Sequence, residues 1–139
     1  MTGRPDTLAV INPNSSRNVT QTIAEAMRAA QGPHADRFVF VTLEDGPPGI
    51  VTEDDAAIAA EQVQAWVRRN GAHHVAVAVA CFSDPGVAAA REGTSTPVIG
   101  LGESGMRRAL EFGRQVGVIA VARAAIPRHM RYWSRLGVA

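Results

Sequence analysis

Val75-Ala-Val-Ala-Val-Ala-Cys81-Phe-Ser-Asp-Pro-Gly86 decides the fold. The run Val75 to Ala80 is short and wholly apolar, which reads as a strand buried on both faces of a parallel sheet. Asp84 is a preferred N-cap and Pro85 suits the first helical position, so a short helix is expected from Pro85 to about Arg91. Ligands of open α/β sheets bind at the carboxyl ends of strands, where this loop lies, and the loop holds the only cysteine of the chain. The expected helix start would favour a thiolate and an anionic ligand. The plain alternative for a lone cysteine at a strand end is a small core residue.

Outward from this stretch the chain alternates strand and helix. Leu8 to Ile11 reads as the first strand, followed by the turn Asn12-Pro-Asn-Ser-Ser16, in which Ser15 or Ser16 caps a helix. Val19, Ile23, Met27 and Ala30 would share the inward face of that helix, and Gly32 stops it. Phe38 to Val41 is the second strand. Gly46-Pro-Pro-Gly49 is loop chemistry. Thr52 and Asp55 form a capping box for a helix from Glu53 to about Asn70, burying Ile58, Val63, Trp66 and Val67. Pro97 to Gly100 is the fourth strand and about Ser104 to Phe112 a helix. Val116 to Val121 is expected as a fifth strand and Pro127 to about Leu136 as the last helix. Such alternation implies a parallel sheet with helices on both faces.

A chain of 139 residues suits a single domain. Its 14 basic and 13 acidic residues leave a net charge of +1 without a basic patch, so nucleic acid is not an expected partner. No segment is long and apolar enough for a membrane helix. The polar start from Met1 to Thr7 predicts no secretion signal, and one cysteine predicts no intrachain disulfide, so the cytoplasm is expected. The four histidines lack metal-ligand spacing, and no metal is expected; His129, among basic neighbours, is expected to be solvated.

Three strand ends carry polar loops: Asn12 to Ser16, Cys81 to Asp84, and Gly100-Leu-Gly-Glu-Ser104. In a doubly wound sheet they converge on one crevice and bring amides and hydroxyls, a thiol, and a carboxylate beside glycine backbone. Each also has a structural explanation. Asn-Pro-Asn-Ser-Ser is ordinary turn and cap chemistry, Gly-Leu-Gly is too short for a dinucleotide fingerprint, and Glu103 favours the dipole of the helix it opens.

Together these motifs resemble the hydantoin and allantoin racemases of the wider aspartate/glutamate racemase superfamily. The resemblance rests on Ile11-Asn-Pro-Asn-Ser-Ser16, on Ala80-Cys-Phe-Ser-Asp-Pro-Gly86 with Ala89-Ala-Arg-Glu92, and on Pro97-Val-Ile-Gly-Leu-Gly-Glu-Ser104. Trp133-Ser-Arg-Leu-Gly137 looks like the family's helix-ending segment. It implies an α/β, doubly wound parallel lobe with strand order 2-1-3-4, spanning residues 1–115. An extra strand and helix at 116–139 would begin a second lobe. It also implies racemisation without a cofactor, in a cleft between two lobes that each offer a cysteine. One thiolate removes the proton α to a carbonyl and the other thiol protonates the opposite face. Cys81 matches the first cysteine. The loop beginning at Asn12, with Asn14 and Ser15, and the backbone around Phe82 and Ser83 match parts that bind substrate carbonyl and amide groups, and Gly102 and Glu103 of the third polar loop are further expected substrate-binding residues.

The chain departs from this pattern in lacking the second cysteine. The expected activity is racemisation or isomerisation of a hydantoin-like cyclic ureide or amino-acid derivative, with Cys81 as base. The alternatives are a non-catalytic lobe acting as a binding module, or a one-thiol decarboxylase or isomerase of the same superfamily. The arylmalonate decarboxylases match less well, because their retained cysteine is the one from the second lobe. Met130, Trp133 and Leu136 form an apolar stripe on the last helix, from which a two-fold homodimer burying Trp133 is expected.

Overall fold

A computed structural model describes residues 6–138. Four strands, β1 (Leu8–Asn12), β2 (Phe38–Thr42), β3 (Ala76–Val79) and β4 (Val98–Gly100), form one all-parallel sheet in the order β2-β1-β3-β4. This is the order expected. The helices are α1 (Arg17–Gln31), α2 (Glu53–Asn70), α3 (Val87–Glu92), α4 (Leu101–Leu110) and α5 (Ile126–Arg135).

The strand pleat divides the core. Ala9, Ile11, Val77, Val79 and Val98 point to one face, where they pack against Val63 and Val67 of α2 and Val87 and Ala90 of α3. The opposite face carries Val10 and Asn12 and is covered by α1. The Thr52–Asp55 capping box forms as expected and sets the start of α2. Two helix faces differ from expectation. The buried residues of α2 are Ala59, Val63 and Val67, while Ile58 lies on the flank at 43% exposure. In α1 only Ala24 is buried, with Ile23 and Met27 half-buried and Val19 and Ala30 exposed. Asn12 explains the second difference: it bonds Ser16 and Thr20, which turns the Thr20–Ala24 side of α1 toward the sheet.

The fifth strand does not form. Residues 116–121 run without secondary structure, and Ile119 is 97% exposed. A strand needs a neighbour to take its N–H and C=O groups. The sheet ends at the three-residue β4, which turns directly into α4, so no ladder is offered. The last helix does form and folds back on the lobe. Arg128 donates to the carbonyls of Val51 and Thr52, and Arg131 pairs with Glu53. Trp133 is therefore 6% exposed within its own chain, not left for a partner to cover. Among the described residues no helix is long and apolar enough to cross a membrane.

Candidate active site

Register brings the three polar loops together. Ile11 pairs with Val79 and Val79 with Gly100, so the chain leaves β1, β3 and β4 at neighbouring points along one edge. The bond from Ala80 N–H to Ile11 C=O, 2.8 Å, carries the pairing one step further, to the threshold of Cys81.

Asn12 ends β1 with its side chain almost wholly buried. Its Nδ2 donates to Asn14 Oδ1 (2.9 Å), Ser16 C=O (3.0 Å) and Thr20 Oγ1 (3.1 Å), while its Oδ1 accepts from Asn14 N–H (3.2 Å). Asn12 thus spends its polar groups on shaping the loop. Asn14 Oδ1 also accepts from Ser16 N–H, leaving Asn14 Nδ2 as the group with donors to spare. Ser16 is the N-cap of α1, and Ser15 N–H is closed onto Pro47 C=O.

The Cys81 loop is a tight turn in which Asp84 N–H donates to Cys81 C=O at 3.0 Å. Cys81 is half-buried, with its Sγ 3.3 Å from Ser83 Oγ. The N–H groups of Phe82 and Ser83 find no acceptor among the described residues. A hollow of about 620 Å³ adjoins the turn and is lined by Ser83, Asp84, Arg91, Glu103, Arg131 and Tyr132, but not by Cys81.

Asp84 corrects one expectation. It does not cap the helix that follows it: that helix is α3, which starts at Val87 after a left-handed Gly86. Asp84 instead takes a left-handed backbone conformation, φ 46°, and turns its carboxylate across to α4. There Oδ1 accepts from Gly102 N–H (2.8 Å) and Oδ2 from Glu103 N–H (2.6 Å), two of the four N–H groups a helix start leaves free. Gly102 accordingly sits at the site's rear with its amide occupied. The Glu103 carboxylate turns away to Arg91 and Arg107, each at 3.0 Å.

The ionisable groups follow their surroundings. Burial pushes the Asp84 carboxyl up, against hydrogen bonds from Tyr132, Glu103 and Gly102 that favour its charge. Burial also acts to raise Glu103, but hydrogen bonds from Arg107 and Arg91 outweigh it and hold that carboxyl below its ordinary value. Tyr132 is pushed well up by burial and by the Asp84 carboxylate it bonds.

Three residues near the site were not expected there from the sequence. Tyr132 Oη donates to Asp84 Oδ2 at 2.6 Å. His129 and Trp133 pack on Phe82 with ring centroids 5.6 and 5.4 Å away. His129 is thus half-buried among aromatics, not solvated, and burial lowers its pKa, with Arg128 adding to the effect. Helix periodicity shows Trp133 as apolar, but nothing in the sequence tells which surface it meets. Among the described residues no three His, Cys, Asp or Glu side chains converge as a metal site.

The chain and its fold have counterparts among known proteins. The family model for Asp/Glu/hydantoin racemases matches residues 8–139. A hydantoin racemase of Rhizobium meliloti is 32% identical over 120 residues, covering 85% of this chain and 49% of the relative. A hydantoin racemase of a Pseudomonas strain is 31% identical over 115 residues, covering 82% and 46%. The structure of an allantoin racemase from Klebsiella pneumoniae superposes with a TM-score of 0.87 at 32% identity, covering 95% of this chain and 54% of that one. An allantoin racemase from Pseudomonas fluorescens, at 23% identity, shares the fold with a TM-score of 0.86 and coverage of 95% and 56%. The chain spans about half the length of the curated relatives it matches.

Proposed function

The chain belongs to the Asp/Glu/hydantoin racemase family, and from that membership we propose that it exchanges the proton at a carbon α to a carbonyl, in a hydantoin-like cyclic ureide, with Cys81 as the base. The observation that carries this reading is the half-buried thiol at the meeting of the β1, β3 and β4 ends, beside the Phe82 and Ser83 amides, which meet no acceptor among the described residues. The Cys81 thiolate takes the proton from C5 of the ring, and the electron pair moves onto the adjacent carbonyl oxygen. The Phe82 and Ser83 N–H groups stabilise that oxyanion, and Asn14 Nδ2 orients the ring. Return of the proton from Cys81 restores the original hand. Inversion requires a donor on the opposite face.

That donor is the part of the reading the single lobe lacks. Residues 116–139 begin a second lobe in this interpretation, supported by relatives about twice as long. For this chain acting alone, a two-fold homodimer would bring a second Cys81 to the opposite face, joined through apolar residues that remain exposed, Ile119, Val121 and Met130. A working thiol suits the reducing cytoplasm.

The test uses an optically pure 5-substituted hydantoin in D2O. Proton exchange at C5 and optical rotation are followed together. Exchange with retention marks one base, and exchange matched by inversion marks two. Absence of both contradicts the reading. Sedimentation at tens of micromolar tests the pairing, where a strictly monomeric species that still inverts its substrate would contradict the homodimer.

A further inference from the structure

We propose that Tyr132, on the last helix, is a positioning residue for the Cys81 turn and acts on it through Asp84; this rests on the reading of Cys81 as the proton-transfer group. The two residues lie 48 positions apart, and the Tyr132 hydroxyl donates to Asp84 Oδ2 at 2.6 Å. Asp84 occupies a conformation that L-residues rarely adopt, and it does so while nearly excluded from water. Three donors hold it there: Gly102 N–H and Glu103 N–H at the start of α4, and the Tyr132 hydroxyl. Charge-assisted bonds of this kind are shorter and stronger than neutral ones.

Asp84 is in turn tied to the turn that carries the thiol, because its N–H closes onto Cys81 C=O at 3.0 Å. A rotation of Asp84 therefore moves the Cys81 carbonyl and the Phe82 and Ser83 amides with it. Tyr132 is the only one of the three donors that comes from outside α4. Its helix is fixed separately from the turn, by Arg128 on the Val51 and Thr52 carbonyls and by the Arg131–Glu53 pair. A hydroxyl delivered by an anchored helix onto a strained aspartate one turn from the thiol gives the last helix a hold on the site. If Tyr132 served only to pack α5, its ring would suffice and the hydroxyl would be dispensable.

Tyr132→Phe separates the two roles, since it keeps the ring and removes the hydroxyl. It is measured on the full chain beside Asp84→Asn and the double variant. One readout is the rate of Cys81 alkylation by iodoacetamide. The other is kcat and KM for C5 exchange on the chiral hydantoin. Freed from its latch, the half-buried thiol becomes more accessible, so Tyr132→Phe raises the alkylation rate about threefold or more. It lowers kcat about tenfold through misplacement of the base, with KM kept within about twofold. In the Asp84→Asn background Tyr132→Phe has no further effect on either readout.

The proposal is overturned if Tyr132→Phe leaves alkylation and kcat at wild-type levels, or if its effect is the same with and without the Asp84 carboxylate. If Tyr132→Phe does not fold, Asp84→Asn alone carries the expectation, and unchanged alkylation there overturns it. Absence of C5 exchange in the wild-type chain would count against the racemase reading alone, and the alkylation cycle would still decide the latch.

Discussion

Gly100 and Asp84 share one space: a Cβ on Gly100 would overlap the Asp84 carboxyl group. Gly102 stands likewise against the Phe82 carbonyl. Both positions need glycine because the Cys81 turn lies directly on the start of α4, and neither Gly100 nor Gly102 has a left-handed φ to explain it. Gly100→Ala is expected to force Asp84 off the α4 amides, at a cost of about 1–3 kcal/mol for overpacking. Loss of the Gly102 and Glu103 bonds adds to it. Urea denaturation checks this, and a Gly100→Ala variant as stable as wild type would refute the close approach. Gly105, which has open space around it, serves as the control and should tolerate alanine.

Asn12 is expected to act on loop shape more than on substrate directly. Asn12→Ala removes the donor shared by Asn14, Ser16 and Thr20 and takes from the Asn14 N–H its acceptor, costing about 1–3 kcal/mol. Asn14→Ala is expected to cost less stability and to raise KM for C5 exchange, because its spare Nδ2 meets no partner among the described residues. Melting curves and exchange kinetics on the two variants separate the roles.

These particulars mark what the sequence makes legible. The α2 capping box, Gly32 as a stop and the convergence of three loops could be read from local chemistry, since caps, turns and apolar runs are local signals, whereas the order of the sheet followed from the strand–helix alternation together with the family resemblance. The partner of Asp84 could not. Asp-Pro before an apolar helix is a strong local cap signal, yet the carboxylate was won by the N–H groups of Gly102 and Glu103, 18 and 19 residues away. The tight Gly100-x-Gly102 pair was the available hint that something bulky had to fit there. The run Val116 to Val121 misled for a related reason: its composition is that of a strand, but strands require a neighbour and the described sheet ends at β4. Trp133 faced inward because Phe82 offered an aromatic partner, which helix periodicity does not reveal.

Stability should fall on mild acidification through two histidines. Burial lowers His74, with the nearby charge of His73 adding to it, and burial lowers His129, with Arg128 adding to it. A histidine whose folded pKa lies below its ordinary 6.5 favours folding when neutral. Its contribution is present above that value and is lost as pH falls through it toward the folded pKa. Urea midpoints at about pH 7.5 and about pH 5 should therefore differ, with the chain weaker in acid, and His74→Gln with His129→Gln should flatten the difference. An unchanged slope in the double variant would contradict neutral, half-buried histidines at these positions.

The most direct measurement is deuterium uptake at C5 of an optically pure hydantoin, by the wild-type chain and by Cys81→Ser at matched concentration. Serine keeps the shape of the turn and its contact with Ser83 but is far less acidic than a thiol, so the fold should persist with an unchanged circular dichroism spectrum. The expected result is uptake by the wild-type chain and its loss in Cys81→Ser. Uptake that persists at the wild-type rate in Cys81→Ser would contradict Cys81 as the base that removes the proton.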